Sequence, residues 1–386
     1  MGRHLAANAI TFLIAGLVRF LGLLTWGQRT YTGEGPLADD TVIEIPRGAN
    51  LARATDRLVE MGAIASPTVF RIGARYSGKD EELKQGCFTI PAHATMGDIL
   101  DRITTSSGAQ ACYQVALRIN NRGTQGQILD ARVAGEGAPE WMPLEDVAAQ
   151  VAAQQETGVD AGFRLTVAEG LTVYDVMTGL ATIPFLEGEL PESPPEGMLA
   201  PDTYEFRDGD TFEAIVARMV ESQRARLAAA WEARDPDLPL ESPEELLTLA
   251  SIVEKETGVP EERGTVAAVF VNRLERGMRL QTDPTIIYGI TRGEGPFDRE
   301  IRRSDIDGVT EQREHGAIAY NTYQIDGLPA GPIASPGRAS LEAAANPPDT
   351  PFIYFVADGS GGHAFAETLE QHNENVAAYR RLQSSQ

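Results

Sequence analysis

Apolar residues form one long stretch near the amino terminus, over 5–26, and are interspersed with polar residues after it. A run of about 20 mostly apolar residues is long enough to cross a bilayer as a helix. We therefore predict a single transmembrane helix over 5–26, with 1–4 as a cytoplasmic tip because Arg3 favours that side. Arg19 interrupts the stretch, and the alternative is an amphipathic helix lying on the membrane surface.

The pattern changes after a linker, rich in Gly, Thr and Pro, that we place at 27–40. The spacing predicts strands at 41–46 and 86–90 with two helices between them. Thr95 with Asp98 then predicts a capped helix. This strand–helix–helix–strand order resembles the LysM-like module of peptidoglycan enzymes, and we assign that module to 41–105.

Residues 106–162 carry a predicted strand and a predicted helix around a Gly-rich stretch without a chemical signature, and we interpret them as an insertion. A predicted strand at 163–170, which ends in a glycine, and a predicted helix at 171–183 follow, in the same strand–glycine–helix order as at 41–60. A long helix is predicted from Thr211 towards Arg234. We expect the remainder of the chain to form one compact α+β domain.

Two further helices are predicted within 246–289. The first runs from Leu246 to Thr257 and ends at Gly258, a common helix stop. Pro260 suits the first position of the next helix, which Gly277 ends and whose apolar stripe is Val266, Val269, Phe270 and Leu274. Leu280 to Asp283 then reads as a short strand, and the helix opened by Pro284 follows.

Two glutamates give the first of these helices a candidate chemistry. On a helical wheel Lys255 lies opposite the apolar face, whereas Glu254 and Glu256 lie on its two shoulders. Partial desolvation raises the pKa of a carboxyl group, which can then act as a general acid near neutral pH. The wheel does not choose between the two glutamates, and ordinary surface ion pairs are the alternative.

Charge and composition exclude several classes of function. The net charge is −23, from 33 basic and 56 acidic residues, so a nucleic-acid partner is not expected. Five scattered histidines have no zinc-like spacing, and we predict neither a metal nor an organic cofactor. We expect Cys87 and Cys112 to be two buried thiols; a disulfide is the alternative, and it requires export.

Four long motifs carry a family resemblance. ASIVEKET followed by ER, VNRL and GMRLQTDPTIIYG (250–289) resembles the signature of the endolytic murein transglycosylases, the MltG or YceG-like family. EGMLAPDTYEF (196–206), YNTYQIDGLPAGPIASPGRASLEAAANP (320–347) and PFIYFVADGSGGHAFAETLEQHN (351–373) resemble its other blocks, in the same order. The resemblance implies a YceG-like catalytic region over 163–386, with its core at 196–386.

The resemblance implies a lyase. It would cleave the MurNAc–GlcNAc bond inside nascent peptidoglycan strands, leave 1,6-anhydro-MurNAc ends and so limit strand elongation. The family's catalytic glutamate matches Glu254, and Glu256 is the second choice. Candidate substrate-binding residues lie in loops and turns of the same blocks: Gln281, Thr282, Asp283, Tyr320, Asn321, Tyr323 and His363. The alternatives are a helix cap for Asp283, a core position for Tyr320 and an ordinary loop position for His363.

Three functions stay open. The first is the lyase described above. The second is a lysozyme-type hydrolase with Asp283, Glu256 or Glu261 as its second carboxylate. The third is a membrane-anchored glycan-binding scaffold without catalysis. The resemblance implies a single-pass protein of the cell inner membrane with a periplasmic catalytic domain, working on glycan strands beside peptidoglycan synthases.

Overall fold

The chain forms two compact units in the computed structural model, which describes residues 2–46, 48–105, 112–130, 140–155, 161–307 and 317–384. The first unit comprises Met1–Val115, Gln127–Trp141 and Glu145–Gly162. The second comprises Ala116–Gly126, Met142–Leu144 and Phe163–Gln386. Helices and strands are both abundant, so the predicted α+β class is confirmed.

The described helices are α1 Gly2–Thr32, α2 Leu51–Glu60, α3 Pro67–Tyr76, α4 Met96–Thr104, α5 Leu144–Gln155, α6 Val173–Ala181, α7 Phe212–Glu232, α8 Pro243–Glu256, α9 Arg263–Glu275, α10 Asp283–Thr291, α11 Arg303–Ile306, α12 Arg338–Ala345 and α13 Leu369–Ser384. The described strands are β1 Thr41–Ile45, β2 Gly86–Ile90, β3 Tyr113–Asn120, β4 Gly123–Asp130, β5 Met142–Pro143, β6 Ala161–Val167, β7 Thr203–Arg207, β8 Tyr354–Ala357 and β9 His363–Ala366.

In the first unit the predicted order is confirmed between residues 41 and 104. β1 and β2 pair antiparallel, from Thr41 opposite Ile90 to Ile45 opposite Gly86. The helices α2, α3 and α4 bury their apolar faces in one core with both strands. The predicted cap of α4 is present as a capping box, in which Thr95 and Asp98 each bond the other's backbone N–H.

Helix α1 is longer than the sequence predicts. It continues to Thr32, so the first part of the expected linker at 27–40 is helical. The physical reason is tertiary: the ring of Tyr31 lies against Gly73 of α3 and Gly97 of α4, which holds the last turn. Side chains of residues 2–12, where the predicted 5–26 span begins, lie outside the described residues. Among those that are described, a search for a helix apolar and long enough to cross a membrane finds none.

The expectation of two free thiols is wrong. Cys87, in β2, forms a disulfide with Cys112, just before β3, and their Cα atoms are 4.9 Å apart. The two residues are 25 positions apart in the chain. Their proximity depends on how the chain returns after α4, and the sequence pattern does not reveal that path.

A five-stranded sheet has the order β5-β4-β3-β6-β7, with β4 and β5 antiparallel. Three of these strands come from the predicted insertion at 106–162, whose residues 106–111, 131–139 and 156–160 lie outside the described ones. Inward positions alternate along β3 and β6, as expected for strands with one covered face. Helix α6, with Thr172 and Asp175 as its capping box, follows β6.

Helix α8 is the centre of the second unit's core. It packs against α7, α9 and α12, and residues 246–253 are buried on all sides of the helix. Its predicted apolar face, including Leu249 and Val253, is confirmed, and Lys255 is exposed as expected. The predicted stripe of α9 is also confirmed, with Phe270 only 1% exposed.

Three predicted details near α8 are wrong. Helix α8 ends at Glu256 with an extended Thr257 as its cap, and α9 starts at Arg263, so Gly258 is no helix cap and Pro260 lies outside the helix. The expected strand from Leu280 to Asp283 is absent from this described segment. Gln281 has a φ of +50°, which is incompatible with a strand, and its N–H bonds the carbonyl of Thr322.

Candidate functional site

Both candidate glutamates lie in the last turn of α8, and both are partly buried. Residues two positions apart on a helix point in different directions. Glu254 and Glu256 therefore face different surroundings, and each can be judged by its own neighbours.

Glu254 lies beside the start of α12 and the turn after β6. Its Oε2 accepts a hydrogen bond from the N–H of Gly337, at 2.9 Å. A second carboxyl group, that of Glu169, is so close to Gly337 that a Cβ added there would lie 1.8 Å from its Oε1. Partial burial, then the negative charge of Glu254, raises the pKa of Glu169. The carboxyl groups of Glu254 and Glu169 therefore both lie next to the backbone of Gly337.

Glu256 is the more enclosed of the two. The hydroxyl of Thr282 donates a hydrogen bond to its Oε1. Burial raises the pKa of Glu256, and the charge of Asp283 raises it further, while Thr282, His363 and Arg273 act in the opposite direction. A carboxyl group in such surroundings retains its proton to higher pH than an exposed glutamate does.

The loop before α10 meets the segment of Thr322 and Tyr323 beside Glu256. The N–H of Thr282 donates to the hydroxyl of Thr322, at 3.0 Å. The phenol of Tyr323 donates to Oδ1 of Asp283, at 2.8 Å. Burial and the charge of Asp283 raise the pKa of Tyr323, so it remains a donor at neutral pH. Asp283 is the first residue of α10 and not its cap, which is Thr282.

His363 starts β9 in the antiparallel β8–β9 hairpin, and Glu262, the residue before α9, holds it by two contacts. Its N–H donates to Oε1 of Glu262 at 2.9 Å, and its Nδ1 lies 2.8 Å from Oε2. The imidazole also meets the ring of Phe355 edge-on, with 5.3 Å between centroids. Arg273 of α9 connects this hairpin to the segment that leads to Thr282, because its guanidinium donates to the carbonyls of Ile353, just before β8, and of Leu280.

The remaining predicted residues have structural partners. Asn321 is 1% exposed, and its amide donates to the carbonyls of Asp305 and Ile306. Tyr320 packs against Tyr288, with ring centroids 4.9 Å apart, and the guanidinium of Arg292 lies over its ring. In this structure Asn321 is buried, and Tyr320 is partly buried against the core around α8.

Of the predicted residues, Thr282, Asp283, Tyr323 and His363 gather around Glu256, and Gln281 contributes the backbone turn that leads to them. The sequence reasoning missed Glu169 and Glu262. Glu169 precedes the turn glycine after β6, and Glu262 belongs to the ER pair inside the long signature. These positions, one next to a turn glycine and one inside a motif of the family resemblance, are what could have identified the two glutamates from the sequence.

The fold and this site define an α+β protein with a partly buried glutamate of raised pKa at the end of a core helix, an arrangement suited to acid–base chemistry. The sequence profile of the YceG-like family matches residues 43–378. The chain therefore belongs to the YceG-like family.

Two characterised relatives are named endolytic murein transglycosylase. The Bacillus subtilis (strain 168) protein is 36% identical over 188 residues, which are 48% of this chain and 48% of that protein. The Streptococcus pneumoniae (serotype 2, strain D39) protein is 26% identical over 398 positions, covering 97% of this chain and 66% of that protein. The matches thus span about half and about two-thirds of these relatives.

A crystal structure of a YceG-like protein from Listeria monocytogenes is also similar. It is 23% identical and superimposes with a TM-score of 0.43, covering 87% of this chain and 98% of the Listeria chain.

Proposed function

We propose that this chain is an endolytic peptidoglycan lytic transglycosylase, a lyase that cleaves the MurNAc–GlcNAc bond within glycan strands. The observation that carries this proposal is the buried carboxyl group of Glu256, with a raised pKa, among hydroxyl and acidic side chains. The family and the printed names of its two relatives give independent support.

The proposed reaction needs one protein carboxyl group. The protonated acid donates to the bridging oxygen as the glycosidic bond breaks. The resulting carboxylate then takes the proton of the muramyl C6 hydroxyl as that oxygen closes the 1,6-anhydro ring. The acid recovers its proton, no water is consumed, and the second nucleophile belongs to the substrate.

The identity of the acid stays a prediction, and the geometry supports Glu256 more than Glu254. Glu256 is enclosed and has a raised pKa, and four predicted substrate-binding residues lie near it. The described hydrogen bond of Glu254 comes from the backbone N–H of Gly337, at the start of α12, where the carboxyl group of Glu169 is its neighbour. We therefore propose Glu256 as the proton donor and Glu254 as a residue that contacts the start of α12.

One observation favours a second function. Asp283 acts on Glu256 electrostatically and is held by Tyr323, so a second carboxylate is available. A hydrolase of the usual kind uses two carboxyl groups across the sugar. Its products would carry reducing ends in place of anhydro ends.

The deciding experiment digests purified sacculi with the full chain and determines the chain ends by mass spectrometry. Wild type should release anhydro-muramyl ends, which are lighter than reducing ends by one water. Glu256→Gln should bind sacculi without cutting them, and Glu275→Gln, an exposed change of the same charge on α9, should cut normally. Reducing ends would support the hydrolase, and sacculi left intact by wild type would support the scaffold.

We also propose that α1 attaches the protein to the inner membrane, with the rest of the chain in the periplasm. Nine large apolar side chains between Leu13 and Trp26 are at least 50% exposed. The Cys87–Cys112 disulfide is typical of an oxidising compartment. The protein should stay with membranes through a high-salt wash, whereas Leu17→Asp with Leu21→Asp should release it. Release of the wild type by salt would refute the attachment.

For residues 41–105 we propose a LysM-like, glycan-binding role. The β1-α2-α3-β2 order, the antiparallel strand pair and a separate core support it. A cleft of about 650 Å³ beside β2 and α4, lined in part by Arg102, is the candidate groove. Arg102→Ala should reduce co-sedimentation with sacculi more than Arg53→Ala does; equal binding would count against this groove.

Synthase partners and a limit on strand length are further proposals, carried by the resemblance alone.

A further inference from the structure

We infer that Glu262 is a positioning residue that fixes the tautomer of His363, so that Nε2 of His363 accepts a hydrogen bond from a hydroxyl group of the glycan beside Glu256. The inference deepens the proposed function and rests on it for the identity of the ligand. The tautomer itself is independent of that function and can be observed directly.

The geometry of the clamp sets the tautomer. Both carboxylate oxygens of Glu262 are engaged, Oε1 by the backbone N–H of His363 and Oε2 by its Nδ1, 2.8 Å away. A carboxylate only accepts hydrogen bonds, so Nδ1 must carry the proton. The side chains are 14% exposed for His363 and 20% for Glu262, so solvent competes weakly with this contact.

The hairpin is shaped for this contact. A Cβ added to Gly362 would lie 2.6 Å from Oε1 of Glu262, so a side chain there would push the carboxylate away. The hairpin tip is closed by the N–H of Asp358 on the carbonyl of Gly362, at 3.0 Å. The edge-on packing against Phe355 leaves the ring little freedom to rotate.

The other ring nitrogen is then available for a ligand. Within the described residues no hydrogen bond to Nε2 of His363 is found. A neutral imidazole with its proton on Nδ1 presents Nε2 as an acceptor. Sugar hydroxyls are donors of the matching kind. The charged groups in this part of the site are Glu262, on the imidazole itself, and Asp283 of α10 and Arg273 of α9, around Glu256.

The test uses the full chain labelled with ¹⁵N-histidine, with the His363→Gln spectrum giving the assignment. Wild type should show His363 with Nδ1 protonated. Glu262→Gln can donate its amide to Nδ1 and should move the proton to Nε2; it should also slow glycan cleavage about 10- to 100-fold, the range for loss of a charge-assisted hydrogen bond. Gly362→Ala should change both readouts in the same direction, and Glu275→Gln should change neither.

The outcomes separate the inference from the proposed function. Cleavage loss without a change of tautomer would assign Glu262 a merely structural role and overturn the inference. A changed tautomer with unchanged cleavage would overturn the contact between Nε2 and the glycan. If wild type does not cleave glycan at all, the proposed function fails and the glycan contact fails with it, whereas the tautomer spectra still decide the role of Glu262.

Discussion

Glu256→Gln is expected to separate catalysis from folding. Glutamine has the shape of glutamate, and its carbonyl oxygen can still accept the hydrogen bond from Thr282. It cannot donate a carboxyl proton, and it carries no charge to repel Asp283. The variant should therefore fold at least as well as wild type while losing activity.

The activity loss has an expected size. A positioned general acid contributes about 10²–10⁴ to the rate. At about 1.36 kcal/mol per tenfold, the barrier to glycan cleavage should rise by roughly 2.7–5.4 kcal/mol. Glu254→Gln should cost much less if Glu254 only contacts the backbone of Gly337. The comparison is made on sacculi at equal enzyme concentration, with anhydro ends counted over time.

The stability change has a definite sign. Because folding raises the pKa of Glu256, the folded state binds its proton more tightly than the unfolded state does. The free energy of unfolding of wild type should fall as pH rises from about 4.5, the ordinary value, to the raised pKa, and level off above it. Each pKa unit corresponds to about 1.4 kcal/mol. Relative to wild type, Glu256→Gln should thus gain stability between pH 4 and pH 7.5.

Thermal unfolding at both pH values provides the check. If Glu256→Gln is less stable than wild type at pH 7.5 and equally active on sacculi, Glu256 is a structural residue and the proposed acid is wrong. If Glu254→Gln alone abolishes cleavage, the acid is Glu254, as the sequence resemblance implies.

Three further expectations concern stability. Phe270→Ala should lower the free energy of unfolding by about 3–5 kcal/mol, because the ring is buried in the core around α8; a loss under 1 kcal/mol in chemical denaturation would contradict that packing. Cys112→Ala should cost about 2–4 kcal/mol under oxidising conditions and nothing further on addition of a reductant, and equal melting temperatures of the oxidised and reduced wild type would argue against the disulfide. Ser242→Ala should cost about 1 kcal/mol, since the Ser242 hydroxyl accepts the N–H of Glu245 at the start of α8, and Ser242→Asp should restore it.

Local signals in the sequence determined most of the elements. Periodicity and caps act within a few residues, so β1, α2, the capping box of α4 and the apolar stripe of α9 could be predicted without knowledge of their neighbours. The same signals failed where a distant contact decides the backbone. Gln281 adopts a positive φ beside Thr322, which replaces the expected strand.

In the candidate site, too, some features could be predicted from the sequence and others depend on the tertiary structure. The sequence placed two glutamates on one helix and identified Thr282, Asp283, Tyr323 and His363 as polar residues of the right kind. Which glutamate they surround depends on the packing of α8 against loops far away in the chain, and desolvation is a property of that packing. The clamp of Glu262 on His363 joins residues 101 positions apart, as the disulfide joins residues 25 apart. Such pairs leave no periodic trace in a single sequence, because only the folded chain brings them within reach.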